Sequence, residues 1–196
     1  MADELRMVRN FVGGRIAELL NSGSESATRA ALANLRRGIG REPGSIPELW
    51  GLTLEGMPAE LYSQNGVPTR GEWAVYIALT MFALHQQGKD LKRSPMNCKD
   101  ISLGRAVRKL VEGDDEKRVK RRFDKVVTAD SPQELSHHLR GLVQLFKSKD
   151  IPLDYAQLSA DLFLFQFESP RDTVRLRWAQ DFYRYVGDEQ KEGQND

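Results

Sequence analysis

The sequence predicts an all-α helical bundle. Apolar residues recur at three- and four-residue spacing along most of the chain, and Ser, Thr and Asp stand where helix N-caps are needed. No run alternates polar and apolar residues as a half-buried strand would.

The elements follow in order. A first helix is expected over about Asp3–Leu20, stopped by Asn21-Ser22-Gly23, and a second over about Glu25–Arg37, stopped at Gly38 and Gly40. Residues 41–68 are rich in Pro and Gly, with room for short helices at Pro47–Trp50 and Pro58–Tyr62. Thr69-Arg70-Gly71-Glu72 reads as a capping box opening a long helix through Gln87, closed by Gly88. After a loop over Lys89–Asp100 come helices at about Ser102–Glu112 and Asp115–Thr128. Asp114, Asp115 and Glu116 suit the positive end of the latter. Ser131-Pro132-Gln133-Glu134 is a strong start signal for a helix to about Lys147. Asp154 caps a helix to about Phe167, and Ser169-Pro170 repeats the cap logic for a last helix to about Val186. The organisation expected is two packed helical lobes, residues 1–92 and 93–187, and a frayed polar tail, 188–196.

With 196 residues the chain needs no covalent staple to bury a core. The single cysteine, Cys98, excludes an intramolecular disulfide and a cysteine-based zinc site. Asp3 and Glu4 stand where a secretory leader would turn apolar. The longest apolar run, Trp73 to Leu84, is about half the ~20 residues of a bilayer span. A cytoplasmic protein without membrane contact is the expectation.

Net charge is +1, yet its distribution is uneven. Residues 89–149 carry 16 Lys and Arg against 9 Asp and Glu; the remainder carries 13 against 19. A basic middle therefore lies between acidic ends, and local sign governs the choice of partner.

The basic residues are ordered as well as numerous. On the helix beginning at Asp115, Val119, Phe123, Val126 and Val127 form a core arc, while Arg118, Arg121, Arg122 and Lys125 share a separate one. Like charges so close repel, and a phosphate backbone would offset that repulsion. The simpler alternative is a solvated ridge neutralised by Asp114, Asp115 and Glu116. The preceding helix packs Leu103, Ala106, Val107, Leu110 and Val111 inward and turns Arg105, Arg108 and Lys109 outward. The following helix buries Leu135, Leu139, Leu142, Val143 and Phe146 and offers Arg140. Arg36 and Arg37 close the second helix, where the dipole alone would account for them. On the last helix Val174, Trp178, Phe182 and Tyr185 form a core stripe; Asp181 stands between Arg177 and Arg184, and an intrahelical ion pair is expected there. Most aromatic residues sit at core spacing, which favours contact with phosphate over stacking on bases.

Signals of catalysis are weak. The chain has no phosphate-binding G-x-x-x-x-G-K-[ST], no G-x-G-x-x-G and no H-E-x-x-H. His137 and His138 are adjacent and diverge by about 100° on a helix, so they do not share a metal readily. His85 ends an apolar helix as a hydrogen-bonded packing residue would. No catalytic residue, metal, cofactor or small-molecule substrate is expected.

The segments also resemble a known family. Ala30-Ala31-Leu32-Ala33-Asn34-Leu35-Arg36-Arg37-Gly38, then Pro43-Gly44 and Pro47-Glu48-Leu49-Trp50, are similar to the start of CasB-type small subunits of type I-E CRISPR Cascade. So are Phe82-Ala83-Leu84-His85-Gln86, Ser102-Leu103-Gly104-Arg105, Arg121-Arg122-Phe123 through Leu142, and Val174-Arg175-Leu176-Arg177-Trp178-Ala179 with Phe182-Tyr183. The likeness covers about Phe11 to Tyr185. It departs in Pro95-Met96-Asn97-Cys98-Lys99 and in the near-neutral total charge.

The resemblance implies a non-catalytic, all-helical subunit of an RNA-guided surveillance complex. Two copies would sit head to tail beside other Cascade subunits, supporting the hybrid of guide RNA and target DNA and holding the displaced strand (the R-loop). Guide pairing then supplies sequence specificity, and the protein need read only charge and shape. On this reading Arg118, Arg121, Arg122, Lys125, Arg105, Arg108 and Arg140 form a continuous phosphate-binding surface, with Arg36 and Arg37 as additions. A stand-alone helical transcription regulator and a protein-only scaffold are the rival readings.

Overall fold

The one segment without a polar face lies at the centre. The computed structural model describes the backbone of residues 1–192 and the side chains of residues 1–184. The long helices are α1 (Ala2–Leu20), α2 (Glu25–Arg37), α4 (Arg70–His85), α6 (Glu116–Val127), α7 (Pro132–Ser148), α8 (Tyr155–Phe165) and α9 (Glu168–Glu192). Two short ones, α3 (Trp50–Thr53) and α5 (Leu103–Arg108), and 3-10 turns at Pro47–Leu49, Ala59–Leu61 and Gly113–Asp115 complete the regular structure. From Gly71 to His85 every residue of α4 is buried. It is enclosed by α1, α2, α7 and α8. A single apolar cluster runs from Val8 on α1 to Phe182 on α9.

The caps expected at Thr69, Ser131 and Asp154 are in place, and the structure adds two more at Ser24 and Ser102. The Thr69 hydroxyl accepts from the Glu72 amide at 3.0 Å, and the Glu72 carboxylate accepts from the Thr69 amide at 2.7 Å. Ser24, Ser102, Ser131 and Asp154 each accept from the backbone three residues on.

Several boundaries differ from expectation, each for a local reason. The α4 helix stops at His85 because Gln86 is engaged elsewhere. Its amide donates to the Asp90 and Ser94 carbonyls, and its side-chain oxygen accepts from the Met96 backbone, folding the next loop back. The α5 helix ends at Arg108 instead of near Glu112. Leu110 and Val111 donate three residues back, which turns Leu110 into the core before the chain extends at Glu112. The α8 helix ends at Phe165, not Phe167, with the Gln166 amide donating to the Leu162 and Arg70 carbonyls. The α9 helix starts at Glu168, ahead of the expected Ser169 cap; Pro170 then falls in the first turn, where its missing N–H costs nothing. It also passes Gly187 to reach Glu192, since one glycine costs a helix only about 1 kcal/mol. The Tyr185 side chain and residues 193–196 lie outside the described residues.

The Pro95–Lys99 segment is pinned by backbone pairing. Cys98 donates to the Leu153 carbonyl and Leu153 to the Met96 carbonyl, both at 3.1 Å, forming a parallel bridge between Asn97 and Leu153. The Asn97 side chain accepts from the Tyr155 amide, and Met96 is buried.

Two features join α9 to the rest. Gly104 faces the Trp178 carbonyl so closely that a Cβ there would lie 2.1 Å from that oxygen. Buried Asp161 of α8 accepts from the Trp178 indole at 2.6 Å, from Gln157 at 2.8 Å and from Arg177. Burial raises the pKa of Asp161, and Arg177, Trp178 and Gln157 pull it back. The expected intrahelical ion pair of Asp181 with Arg177 or Arg184 is absent among the described residues: Arg177 is taken by Asp161, and Asp181 accepts instead from the Ser102 hydroxyl at 2.6 Å.

Candidate nucleic-acid interface

The antiparallel pair α6 and α7 is joined by the short turn 128–131, and each helix contributes an apolar stripe to the seam. Val119, Phe123 and Val126 are buried from one side, Leu135, Leu139, Leu142, Val143 and Phe146 from the other. Burying those stripes leaves the cationic arc of α6 on the outside. Arg118, Arg121, Arg122 and Lys125 are all exposed and share one groove of about 410 Å³. Its α7 wall is His137, His138, Gly141 and Leu142. A Cβ on Gly141 would meet nothing within 4 Å, so the glycine leaves that wall open.

The cations of the groove are not equivalent. Arg118 is held by the carboxylate of Asp115. Among the described residues, no carboxylate lies within ion-pair distance of Arg121, Arg122 or Lys125. Lys120, on the flank of the same helix, is taken up by Asp124 at 2.8 Å, and that contact raises its pKa.

The remaining candidates are dispersed. Arg108 is mostly covered, bonded to Glu116 at 3.4 Å and lying over the Phe182 ring at 5.8 Å. Arg105 is exposed and donates to the Asp100 carbonyl at 3.0 Å. Arg140 is exposed on α7 but does not line the groove. Arg37 lies 3.6 Å from Glu48. Arg36 and Lys89 both act on Lys147, and after burial these two cations hold its pKa down. All three lie at or just past the C-terminal ends of α2, α7 and α4, whose dipoles favour cations.

His137 and His138 are wall residues that sequence reasoning set aside. Their rings are 5.3 Å apart, and His138 lies 3.6 Å from Glu134. The signal was the spacing 134, 137, 138, 141, one face of α7, which reads as a wall only once α6 is placed beside it. His85 is fully buried with Nδ1 3.0 Å from the Tyr155 hydroxyl, and burial lowers its pKa to about 4. No cluster of three or more metal-binding side chains occurs among the described residues, and no helix there is long and apolar enough to cross a membrane.

Comparison with known proteins now decides the family. The model of the CRISPR-associated protein Cse2 family matches residues 31–183. The chain belongs to the Cse2 family. Solved CasB structures agree with that membership. CasB from Thermobifida fusca is 30% identical over 90% of this chain and 98% of its own, with a TM-score of 0.75. CasB from Thermus thermophilus is 25% identical over 87% and 97%, with a TM-score of 0.62. CasB of M. ruber, 24% identical over 90% and 94%, shares the fold at a TM-score of 0.65. No curated protein sequence matches the chain. The family suggested by the sequence segments is thus the one found, and its all-helical architecture is the one described above.

Proposed function

We propose that this Cse2-family chain is a non-catalytic small subunit of a type I-E Cascade complex, holding nucleic acid by its phosphate backbone. The α6–α7 groove would help to stabilise the guide–target hybrid and the displaced strand. One observation carries this reading: Arg121, Arg122 and Lys125 share an open groove, and no carboxylate among the described residues neutralises them. A folded chain gains nothing from three neighbouring unpaired cations on one helix, whereas a phosphate backbone matches their spacing and sign. The wall offers histidines, a glycine and a leucine, and no Asn or Gln to read base edges. A second copy and other Cascade subunits would supply the neighbours; exposed Leu176 and Tyr183, two turns apart on α9, offer them apolar surface.

The test is binding to single-stranded DNA, RNA and duplex across a salt series, native protein against the triple variant Arg121→Ala, Arg122→Ala, Lys125→Ala. Three lost phosphate contacts should flatten the log–log salt slope by about 2, at roughly 0.7 per contact for a single strand. Reconstituted complexes carrying the variant should form shorter-lived R-loops. A sequence-specific duplex footprint would instead indicate a regulator, and a partner that survives nuclease digestion a protein scaffold.

A further inference from the structure

The groove has a boundary, and the boundary is acidic. Of the nine carboxylates in residues 89–149, four fall within the five-residue turn 112–116. Three of them are ion-paired, each to a different cation at the same end of α6. Asp115 holds Arg118, Glu116 bonds Arg108 at 3.4 Å, and Glu112 receives Lys149 through both oxygens at 2.8 and 2.9 Å. Just beyond the groove, sharing Arg118 and Arg122 with it, a smaller pocket of about 140 Å³ includes Glu112, Asp115 and Lys149 in its lining. Without these acids the cations would run on from Arg122 towards α5 and the end of α7. The N-terminal amides of α6 would add a further attraction for phosphate.

Resting on the phosphate-groove reading, we propose that Glu112, Asp115 and Glu116 end the phosphate track and so fix which stretch of backbone this protein holds. A phosphate arriving at Arg118, Arg108 or Lys149 must displace a carboxylate and then lie beside it. One arriving at Arg121, Arg122 or Lys125 displaces only water and counterions. The strand is therefore confined to the C-terminal half of the ridge. Arg121 to Lys125 spans about 6 Å of helix axis, room for one or two phosphates of a single strand. The acidic turn is a specificity device: it keeps the site short and the free protein's grip weak, so that a strand is held firmly only when other contacts present it in register.

The experiment uses the full chain and oligothymidylates of increasing length over a salt series. One variant neutralises the turn: Glu112→Gln, Asp115→Asn, Glu116→Gln. A second neutralises three carboxylates outside the groove that hold no cation among the described residues, Glu42→Gln, Glu55→Gln and Glu60→Gln, with the same change in net charge. The turn variant should need a longer oligonucleotide to reach full affinity. Its salt slope should steepen by about 2, as three released cations at roughly 0.7 each require, and its affinity near 0.1 M salt should rise tenfold or more. The remote variant should alter neither length nor slope. Because Asp115 makes no capping hydrogen bond, the turn variant keeps the α6 start; Glu112→Gln alone, which frees only Lys149, gives a smaller change of the same sign. Unchanged length and slope in the turn variant would overturn the proposal, as would equal steepening in both variants, which would reduce it to net charge. If the Arg121, Arg122 and Lys125 alanines leave native binding intact, the groove reading itself fails, a result separate from either of those.

Discussion

Helices α4 and α6 are of similar length and meet opposite fates. The first is apolar on every side and buried from Gly71 to His85; the second buries three residues and carries Arg or Lys at six positions, of which Lys120 is half-buried and the rest exposed. The central helix contributes stability by removing apolar area from water on all sides. The outer helix gives up stability, since cations four residues apart repel, and gains a charged surface. Folding energy and candidate function are thus carried by different parts of the chain, and substitutions should separate them.

The largest expected effect on folding is at Gly104, whose added Cβ would meet the Trp178 carbonyl backbone. Gly104→Ala should cost about 3 kcal/mol or more, as overpacking against an immovable atom does, read as a lower denaturation midpoint. If α5 and α9 separate without loss of stability, the close approach is not a structural requirement.

Acid should act next. His85 has a folded pKa of about 4 against an ordinary 6.5, so the unfolded chain binds more protons between those values. Stability is complete above pH 6.5 and falls as the pH drops towards 4, by about 3 kcal/mol over the window. Thermal melts from pH 7 to 4 should show that loss, and His85→Gln should flatten it.

Asp161→Ala strands the Trp178 indole N–H and leaves Arg177 without its partner, at a cost of about 2 kcal/mol. Because Asp161 is buried and does not line the groove, affinity for single strands should not change with it.

The smallest effect on folding sharpens the comparison most. Removing Arg121, Arg122 and Lys125 should shift stability by no more than about 0.5 kcal/mol, in either direction, while abolishing most binding. A large destabilisation by these alanines would mean that α6 is as structural as α4.

Much of this was legible in the sequence because it is local. Thr69 and Glu72, Ser131 and Glu134, and the stripe Leu135, Leu139, Leu142, Val143, Phe146 specify helix starts and faces by spacing alone. The cationic arc of α6 is legible for the same reason: four residues on one turn-repeat share a side whatever packs behind them. Element ends were less legible where a long-range bond intervened, as with Gln86 reaching Met96, Asp90 and Ser94.

Partnership between side chains distant in sequence was decided by the tertiary structure alone. Periodicity gives each residue a direction, but a charge chooses its partner by distance after the helices have packed. Arg177 took Asp161 on another helix in place of Asp181 on its own, and Lys149 took Glu112. Packing also made His137 and His138 a wall of the groove and left Arg140 outside it. The sequence by itself determined that the middle of this chain is basic and helical. Which of its cations stand free to meet phosphate is a property of the fold, because ion pairing falls off over a few ångströms that only packing sets.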